Sequence, residues 1–344
     1  MTEPLRFAII GCGRIAPRHA QCLRDLSPDA RLVAVADVIE RRAQHLAREY
    51  GAEPESDYHR LLDREDIDVV CICTPSGLHA RLGIEAAQAG KHVIVEKPMA
   101  LTLEDADALI AACGSTGVNL TVVLQNRYNP PMQDLKRLVE SGKLGRLLLG
   151  NATVRWYRPQ SYYEDDWHGT RNMDGGALMN QCIHHVDALQ WVMGNVSEVF
   201  AYTATLAHTI ETEDIGVVTW RFVSGALGSM EGSTVTYPEN LEGSVAVFGT
   251  HGSVKVGGTA LNRKVFWKVA GELEQERNIL ALEDVDPPTV YGYSHRAVIA
   301  DTIQAIRDDR PSRTHGGEGR RSLALVLAMY ESAERGLPVK VNHI

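Results

Sequence analysis

Short apolar runs alternate with amphipathic segments along the first 125 residues. The runs end at polar or glycine-containing turns, which is typical of strands that are buried on both faces of a parallel sheet and joined by helices. Residues 68–74, which read DVVCICT, show this most clearly. The pattern predicts a doubly wound parallel sheet, with strands at residues 7–10, 31–36, 68–74, 91–95 and 119–124.

The pattern changes after a polar segment at residues 125–130, QNRYNP. After a helix predicted at 132–141, strand-like runs follow one another from residue 147, interrupted by one helix predicted at 177–193. This succession favours a mostly antiparallel, open sheet in an α+β domain, and two late helices are predicted at 296–308 and 319–335. We therefore expect two domains, residues 1–125 and 126–344. The later strands are predicted at 147–156, 196–207, 215–223, 226–236, 241–249 and 253–256.

The length, charge and cysteine content of the chain argue against several classes of function. The 344 residues suffice for two cores, and a formal net charge of −9 without a basic run argues against general nucleic-acid binding. No positively charged leader with an apolar stretch opens the chain, and no run is long enough to span a membrane. The six cysteines contain no C-x-x-C pair. A soluble, cytoplasmic protein with reduced thiols is expected.

The first strand is followed by GCGRIA, in which Gly11, Gly13 and Ala16 match the dinucleotide-binding pattern G-x-G-x-x-G/A. The glycines permit a tight turn and a close backbone approach to a pyrophosphate, which the next helix N-terminus attracts. Asp37 ends the second strand, where a carboxylate binds the ribose hydroxyls and repels a 2′-phosphate. The motif predicts NAD rather than NADP, although Arg41 and Arg42 soften that repulsion.

Polar residues follow the next strands at the same predicted edge of the sheet. The loop from Thr74 to His79 belongs to the cofactor crevice, since ligands lie outside the carboxyl ends of parallel strands. Lys97 follows the strand at 91–95, and Pro98 favours an extended backbone there. We interpret Lys97 as an ammonium directed at the reacting groups. The alternatives are a polar first-turn residue for His79 and a surface lysine in a turn for Lys97.

The predicted helix at 177–193 reads ALMNQCIHHVDALQWVM and carries Asn180, His184 and Asp187 at spacings that share one face. An amide, an imidazole and a carboxylate on one face of an apolar helix suggest chemistry, with a hydrogen-bonded core cluster as the alternative. Cys182, His184 and Asp187 are possible metal ligands. No H-E-x-x-H or paired-cysteine motif supports that interpretation, and no metal is expected.

Four motifs in this order, GCGRIA, TPSGLH, EKP and GGALMNQCIHHVD, resemble the Gfo/Idh/MocA oxidoreductases over essentially the whole chain. The resemblance implies a Rossmann domain, a second domain whose open sheet often joins subunits, and NAD(P)-dependent oxidation of sugars and cyclitols. Lys97 and His184 match the catalytic positions, supported by Asn180 and Asp187; many members carry Asp where this chain has Asn180. The cofactor-binding residues implied are Gly11, Cys12, Gly13, Arg14, Ile15, Asp37, Thr74, Pro75, Ser76, His79, Glu96, Lys97 and Gln125.

A narrower resemblance rests on QNRYN, WYRPQSYYEDDWHGT and TYPENLEGSVAVFGTHGSVKVGG. These segments are similar to the UDP-N-acetylglucosaminuronate 3-dehydrogenases of bacterial O-antigen synthesis, some of which re-oxidise bound NADH with 2-oxoglutarate. Cationic and amide donors suit a substrate with a pyrophosphate and a carboxylate. The substrate-binding residues expected are Asn126, Arg127, Arg155, Tyr157, Arg158, Trp167, Arg171, Asn180, Gln181 and His184.

The hypothesis for the reaction is that His184 takes the proton of the substrate hydroxyl while Lys97 stabilises the alkoxide, or that the two exchange roles. Asp187 is expected to orient the imidazole, and the chain to form a homodimer or homotetramer. The alternatives are a dehydrogenase of a free sugar or inositol, and a catalytically silent NAD-binding regulator.

Overall fold

The computed structural model describes residues 3–258, 260–271, 292 and 294–342. The chain divides into two compact units. The first contains Met1–Gln125 and Ser294–Arg320, and the second contains Asn126–Tyr293 and Arg321–Ile344.

The first unit contains a six-stranded sheet whose paired strands are all parallel. Its strand order, β3-β2-β1-β4-β5-β6, is that of a Rossmann fold and confirms the predicted class. The strands are β1 (Leu5–Ile10), β2 (Ala30–Ala36), β3 (Glu53–Glu55), β4 (Val69–Ile72), β5 (His92–Val95) and β6 (Leu120–Val122). The helices are α1 (Ala16–Asp25), α2 (Glu40–Tyr50), α3 (His59–Leu62), α4 (His79–Gln88) and α5 (Leu103–Thr116).

A later helix, α9 (His295–Arg307), belongs to the first unit. Its Ile299 and Ile303 lie in the same buried apolar cluster as Phe7. Thr302 Oγ1 donates to Thr121 Oγ1 over 3.0 Å, which ties α9 to β6. The sequence-based division assigned every residue after 125 to the second domain. The structure instead returns residues 294–320 to the first unit, because α9 supplies part of its apolar core.

The second unit contains an eight-stranded sheet in the order β13-β12-β11-β7-β10-β9-β8-β14. The sheet is antiparallel apart from the parallel pair β7 and β10, as predicted for a mostly antiparallel sheet. The strands are β7 (Leu147–Arg155), β8 (Val196–Ala204), β9 (Ile215–Phe222), β10 (Leu227–Ser233), β11 (Glu242–Gly249), β12 (Gly252–Gly257), β13 (Arg263–Val269) and β14 (Val339–Lys340). The helices are α6 (Pro130–Glu140), α7 (Ala177–Asn180) and α8 (Ile183–Met193).

The helix α10 (Gly316–Arg335) belongs to the first unit up to Arg320 and to the second from Arg321. Strand β13 is not predicted from the sequence, since its RKVFWKV shows no clean two-residue alternation. None of the helices in the described ranges combines the length and apolar character that a membrane span requires.

One face of the second sheet is covered and the other is open. On β9, Gly216, Val218 and Trp220 are buried while Val217 is 51% exposed, which is the period of two expected for a half-buried strand. On β7, an added Cβ at Gly150 would lie 2.9 Å from the Leu189 side chain of α8. Helix α8 therefore packs closely on the covered face.

Candidate active site

The turn between β1 and α1 has the geometry of a dinucleotide-binding loop. Gly11 has φ +91°, and a Cβ there would lie 2.7 Å from the Cys73 carbonyl oxygen, so only glycine fits. A Cβ at Gly13, by contrast, would meet nothing within 4 Å. Ala16 is fully buried where α1 packs on the sheet. The turn therefore leaves open space beside Gly13, where a diphosphate is expected to approach.

The N-terminus of α1 is suited to an anion. Its N-cap residue, Ile15, makes no side-chain capping bond, and the first turn of the helix contains no acidic residue. The first amides of a helix carry partial positive charge and lack intrahelical acceptors. Together with the open space beside Gly13, these residues fit the diphosphate of NAD.

Asp37 follows β2 and contacts the same turn. Its Oδ2 accepts a hydrogen bond from the Cys12 amide over 2.8 Å, and its Oδ1 accepts one from the Ile39 amide over 2.8 Å. The side chain is thereby held at the edge of the sheet, in the position of the ribose-binding carboxylate. Burial, reinforced by the Asp37 charge, raises the pKa of the Cys12 thiol to about 12. Cys12 is therefore a neutral thiol at physiological pH.

The residues after β4 divide into two groups. Thr74 and Pro75 are half-buried, whereas Ser76 and His79 are buried. His79 Nδ1 lies 2.7 Å from the Pro98 carbonyl oxygen, and its Nε2 lies 2.9 Å from the Thr74 carbonyl oxygen. Burial lowers the pKa of His79. The imidazole of His79, expected to contact the cofactor, is instead engaged with the backbone.

Lys97 follows β5 and is half-buried. The preceding Glu96 is 7% exposed, and its Oε1 lies 2.9 Å from His19 Nε2 and 3.6 Å from His295 Nε2. The carboxylate of Glu96, also expected to bind the cofactor, is thus turned toward two buried histidines. Of the remaining cofactor candidates, Arg14 is exposed, Ile15 is half-buried, and Gln125, which follows β6, is 3% exposed.

In the second unit, the helix predicted as continuous is broken. The amide of Cys182 bonds to the carbonyl of Ala177, five residues back, over 2.9 Å, and α8 then begins at Ile183. Asn180 therefore lies on α7, whereas His184 and Asp187 lie on α8. The single helix predicted over 177–193 is therefore wrong, because this wide turn separates two helices.

The two adjacent histidines of α8 have different surroundings. His184 is half-buried, whereas His185 is 1% exposed. Both ring nitrogens of His185 are buried without a hydrogen-bond partner among the described residues, and its ring meets that of Trp156 edge-on, with centroids 5.8 Å apart. Burial lowers the pKa of His185 to about 4, so the ring is neutral. His184 is thus the more accessible base of the pair.

Asp187 makes a buried ion pair. Its Oδ1 and Oδ2 accept from Arg127 Nη2 and Nε over 2.6 and 2.8 Å, and Oδ1 also accepts from Ser322 Oγ over 2.5 Å. One expectation is corrected here: Asp187 binds Arg127 and Ser322 rather than the His184 imidazole. The predicted contact of Arg127 with substrate stays a prediction, and its guanidinium pairs with Asp187 within the chain. Long-range partners of this kind cannot be inferred from spacing along one helix.

Two further carboxylates surround the start of α7. Asn180 Nδ2 donates to Asp174 Oδ1, and Asp174 Oδ2 accepts from the Gly169 amide over 2.8 Å. Glu213 Oε1 accepts from the Leu178 amide over 2.7 Å. Burial raises the pKa of Glu213 to about 7. Neither acid is predicted as a site residue from the sequence, because both lie outside the motifs.

The remaining substrate candidates lie mainly between β7 and α7. The Arg155 guanidinium makes a bidentate pair with Glu231 and reaches Glu242, so it joins strands of the second sheet. Its contact with substrate stays a prediction. Arg158 Nη1 donates to the Tyr157 carbonyl over 2.6 Å. Tyr157 is half-buried, Arg171 is exposed, Asn126 is 4% exposed, and Gln181 Nε2 lies 3.4 Å from Tyr162 Oη.

An aromatic and cationic group forms in this segment. The Arg158 guanidinium lies 5.3 Å from the Trp156 ring and 5.5 Å from the Tyr162 ring. The Trp167 and His168 rings lie 3.7 Å apart, and His168 Nδ1 lies 2.6 Å from Asp165 Oδ2. Sequence reasoning missed His168 and Tyr162, although the aromatic run SYYEDDWH was available as a signal.

Within the described residues, one group of side chains has the donor types of a metal site. His19, Glu96 and His295 offer ligand atoms that all lie within 4.8 Å of one another. Cys182, His184 and Asp187, the set considered from the sequence, are not grouped in this way in the described ranges.

Comparison with known proteins identifies the family. Residues 5–124 match the oxidoreductase family with an NAD-binding Rossmann fold, GFO_IDH_MocA, and residues 132–255 match the GFO/IDH/MocA C-terminal domain. The solved structure of the WlbA dehydrogenase from Bordetella pertussis, in complex with NADH and UDP-GlcNAcA, is 40% identical, with a TM-score of 0.94 and 99% of each chain covered.

Curated relatives include inositol dehydrogenases. The scyllo-inositol 2-dehydrogenase (NAD(+)) of Bacillus subtilis is 31% identical over 75% of each chain. The myo-inositol 2-dehydrogenase of Thermotoga maritima is 29% identical over 99% of each chain. The chain therefore belongs to the Gfo/Idh/MocA family of oxidoreductases and is an NAD-dependent sugar dehydrogenase.

Proposed function

We propose that the protein oxidises the 3-hydroxyl of a UDP-linked N-acetylated hexuronic acid, UDP-GlcNAcA, to the 3-ketone. The observation that carries this proposal is the 40% identity, over 99% of each chain, to a dehydrogenase crystallised with NADH and UDP-GlcNAcA. We propose that residues 1–125 bind NAD and that the second domain binds the sugar nucleotide. The product would serve O-antigen sugar synthesis.

The chemistry of the segment between β7 and α7 supports this substrate class. UDP-GlcNAcA presents a diphosphate, a carboxylate and an aromatic base. Arg158 and Arg171 supply guanidinium groups, which suit phosphate and carboxylate oxygens. Trp167 supplies a ring that can stack on the uracil. Free sugars and inositols present neither a diphosphate nor a base.

The proposed reaction assigns a role to two side chains. His184 accepts the proton of the 3-hydroxyl, because its ring is half-buried and an ordinary imidazole is largely neutral at pH 7. Lys97 donates a hydrogen bond to the same oxygen and stabilises the alkoxide charge that develops on it. NAD, when bound, supplies a nicotinamide ring that accepts the carbinol hydrogen as hydride. Asn180 and Gln181 are proposed to bind the sugar.

The second candidate function is a dehydrogenase of a free sugar or inositol. It is favoured by the inositol dehydrogenases at 29% and 31% identity. The third, a catalytically silent NAD-binding regulator, is disfavoured because Lys97 and His184 are both present.

The test is the NADH absorbance of purified protein with NAD and, in turn, UDP-GlcNAcA, free N-acetylglucosaminuronic acid or myo-inositol, with and without 2-oxoglutarate. We expect NADH to form only when UDP-GlcNAcA is the substrate. Turnover should continue when 2-oxoglutarate is also added. Lys97→Ala and His184→Ala should each lower kcat at least about 100-fold, whereas His45→Ala, at an exposed position of α2, should not. Oxidation of myo-inositol but not of the UDP sugar would reject the proposed substrate.

A further inference from the structure

Lys97 lies between two residues that buried histidines hold in place. Before it, the Glu96 carboxylate contacts His19 and His295. After it, the Pro98 carbonyl contacts His79. Lys97 and all the residues in these two contacts belong to the first unit. The backbone on each side of the lysine is therefore constrained by side chains from elsewhere in the Rossmann domain.

The contact before Lys97 is made by a buried carboxylate. His19 and His295 are each 1% exposed, and their rings meet edge-on with centroids 5.7 Å apart. Burial alone would keep Glu96 protonated, but hydrogen bonds from the two imidazoles hold the pKa of its carboxyl well below the usual value. Its Oε2 also accepts from the Lys97 amide over 3.3 Å. The carboxylate thus links the histidines to the lysine's own backbone.

The contact after Lys97 joins two turns. His79 Nδ1 lies 2.7 Å from the Pro98 carbonyl oxygen, and Nε2 lies 2.9 Å from the Thr74 carbonyl oxygen. A carbonyl only accepts hydrogen bonds, and a neutral imidazole carries a single N–H, so each tautomer donates to one of the two turns. In either tautomer, the ring of His79 lies between the turn after β4 and the turn that carries Lys97.

Two of the three histidines come from helices that begin at the predicted nucleotide-binding turns. His19 is on α1, one helical turn past Ala16, and His79 is the first residue of α4. The turns predicted to bind NAD and the turn that carries Lys97 are therefore joined by buried side-chain contacts.

We propose that Glu96, His19 and His79 are positioning residues that fix Lys97 relative to the nucleotide-binding turns. This inference rests on the proposed role of Lys97 in the reaction. A lysine has a long, flexible side chain, and a misplacement of about 1 Å at a reacting group costs about 100-fold in rate. Fixing the backbone on both sides of Lys97 limits that misplacement.

The first experiment compares Glu96→Gln in two backgrounds. In the otherwise unchanged enzyme, the substitution should lower kcat about 10- to 100-fold, while the Kd for NAD changes less than about threefold. In a Lys97→Ala background, measured at high enzyme concentration, it should change the rate less than about threefold, since residues that act as a unit are not additive. An equal loss in both backgrounds, or no loss in either, would overturn the proposal.

The second experiment replaces a histidine by Gln or Asn, so that the side-chain amide takes the place of one of the two ring nitrogens. Gln places its NH₂ near the Nε2 position and Asn near Nδ1. His19 contacts Glu96 through Nε2, so His19→Gln should retain more activity than His19→Asn. His79 contacts Pro98 through Nδ1, so here Asn should retain more activity than Gln. The reverse order at either position would contradict the proposed contacts.

Two controls separate the possible failures. If Lys97→Ala keeps unaltered kcat, the proposed role of Lys97 fails; if Lys97→Ala is inactive while the Glu96 and histidine variants match the unaltered enzyme, only this inference fails. His45→Gln, on an exposed helix, controls for the loss of a histidine. Metal analysis of the purified protein tests the other chemistry that these donors permit, and one bound transition metal per chain would overturn the hydrogen-bonded arrangement.

Discussion

Arg127 and Asp187 form a two-point ion pair in which Nη2 and Nε donate to the two carboxylate oxygens over 2.6 and 2.8 Å. The side chains are 5% and 2% exposed. Arg127 follows β6 and Asp187 is on α8, so the pair joins the start of the second unit to the helix that carries His184. The pair is a structural contact that holds this helix.

We expect Asp187→Leu to lower the free energy of unfolding by about 3–5 kcal/mol, because it leaves the Arg127 guanidinium buried and uncompensated. Adding Arg127→Met should recover more than half of that loss, since two apolar side chains of similar volume replace both charges. Urea unfolding of the three proteins measures this. Additive losses in the double variant would show that the two side chains do not act as a pair.

The glycines of the dinucleotide turn should respond differently to an added methyl group. Gly11→Ala places a Cβ 2.7 Å from the Cys73 carbonyl oxygen at φ +91° and should lower stability without NAD by about 2 kcal/mol or more. Gly13→Ala meets open space, so it should leave stability without NAD nearly unchanged while weakening NAD binding at least about tenfold. Thermal unfolding and NAD titration separate the effects. Unchanged NAD affinity in Gly13→Ala would reject the assigned diphosphate position.

Asp37 should set the preference for NAD. Its carboxylate is held by the Cys12 and Ile39 amides at the end of β2, where the motif predicts the ribose. Asp37→Ser removes the charge that repels a 2′-phosphate, and Arg41 and Arg42 then favour that group. The ratio of kcat/KM for NADP to that for NAD should rise about 10- to 100-fold. Arg42→Ala added to this variant should reverse part of the gain, and an unaltered ratio in Asp37→Ser would contradict the assignment.

Glu213 should make stability depend on pH. Its pKa rises from 4.5 to about 7 in the folded protein, so between these values the folded state holds a proton that the unfolded chain has released. The resulting stabilisation, about 3 kcal/mol, is fully present below pH 4.5 and is lost as the pH rises through about 7. Glu213→Gln stays neutral and should lack this dependence. Unfolding of both proteins from pH 4.5 to 8 gives the difference, and parallel curves would show that Glu213 does not titrate in this way.

The open face of the second sheet is proposed to join chains into a homodimer or homotetramer. Tyr202 and Val217 are direct neighbours on β8 and β9 and are 68% and 51% exposed. Leu149 and Leu227 are neighbours on β7 and β10 and are 39% and 51% exposed. Val217→Asp with Leu227→Asp should shift the mass measured by light scattering to that of one chain. Arg221→Asp, on the same face but already polar, is the matched control, and an unchanged mass in the double variant would place the interface elsewhere.

Local patterns predict the Rossmann half of the chain well. The strands β1, β2, β4 and β5 each contain an uninterrupted apolar run, and the turn after β1 needs Gly11 for reasons of backbone geometry alone. Asp37 and Lys97 can be predicted from the sequence because each closely follows such a run. Sequence periodicity therefore predicts only those features that depend on residues near one another along the chain.

The rest of the candidate site depends on partners that are distant in sequence. Arg127 and Asp187 are 60 residues apart, and Arg155 and Glu231 are 76 apart, so no spacing rule identifies either pair. The break between α7 and α8 was missed because Gln181 and Cys182 are compatible with a continuous helix. Cys182, at this wide turn, packs closely on the sheet: an added Cβ at Gly232 of β10 would lie 2.7 Å from Cys182 Sγ.

The return of α9 to the first unit bears on how the protein is made. A ribosome releases residues 1–125 long before Ile299 and Ile303, which complete the apolar core of the parallel sheet. The Val122 amide must likewise wait for the Thr314 carbonyl, which accepts its hydrogen bond over 2.8 Å. The domain that is synthesised first therefore cannot be finished until residues 294–320 have been made, and its nascent sheet is open to aggregation until then.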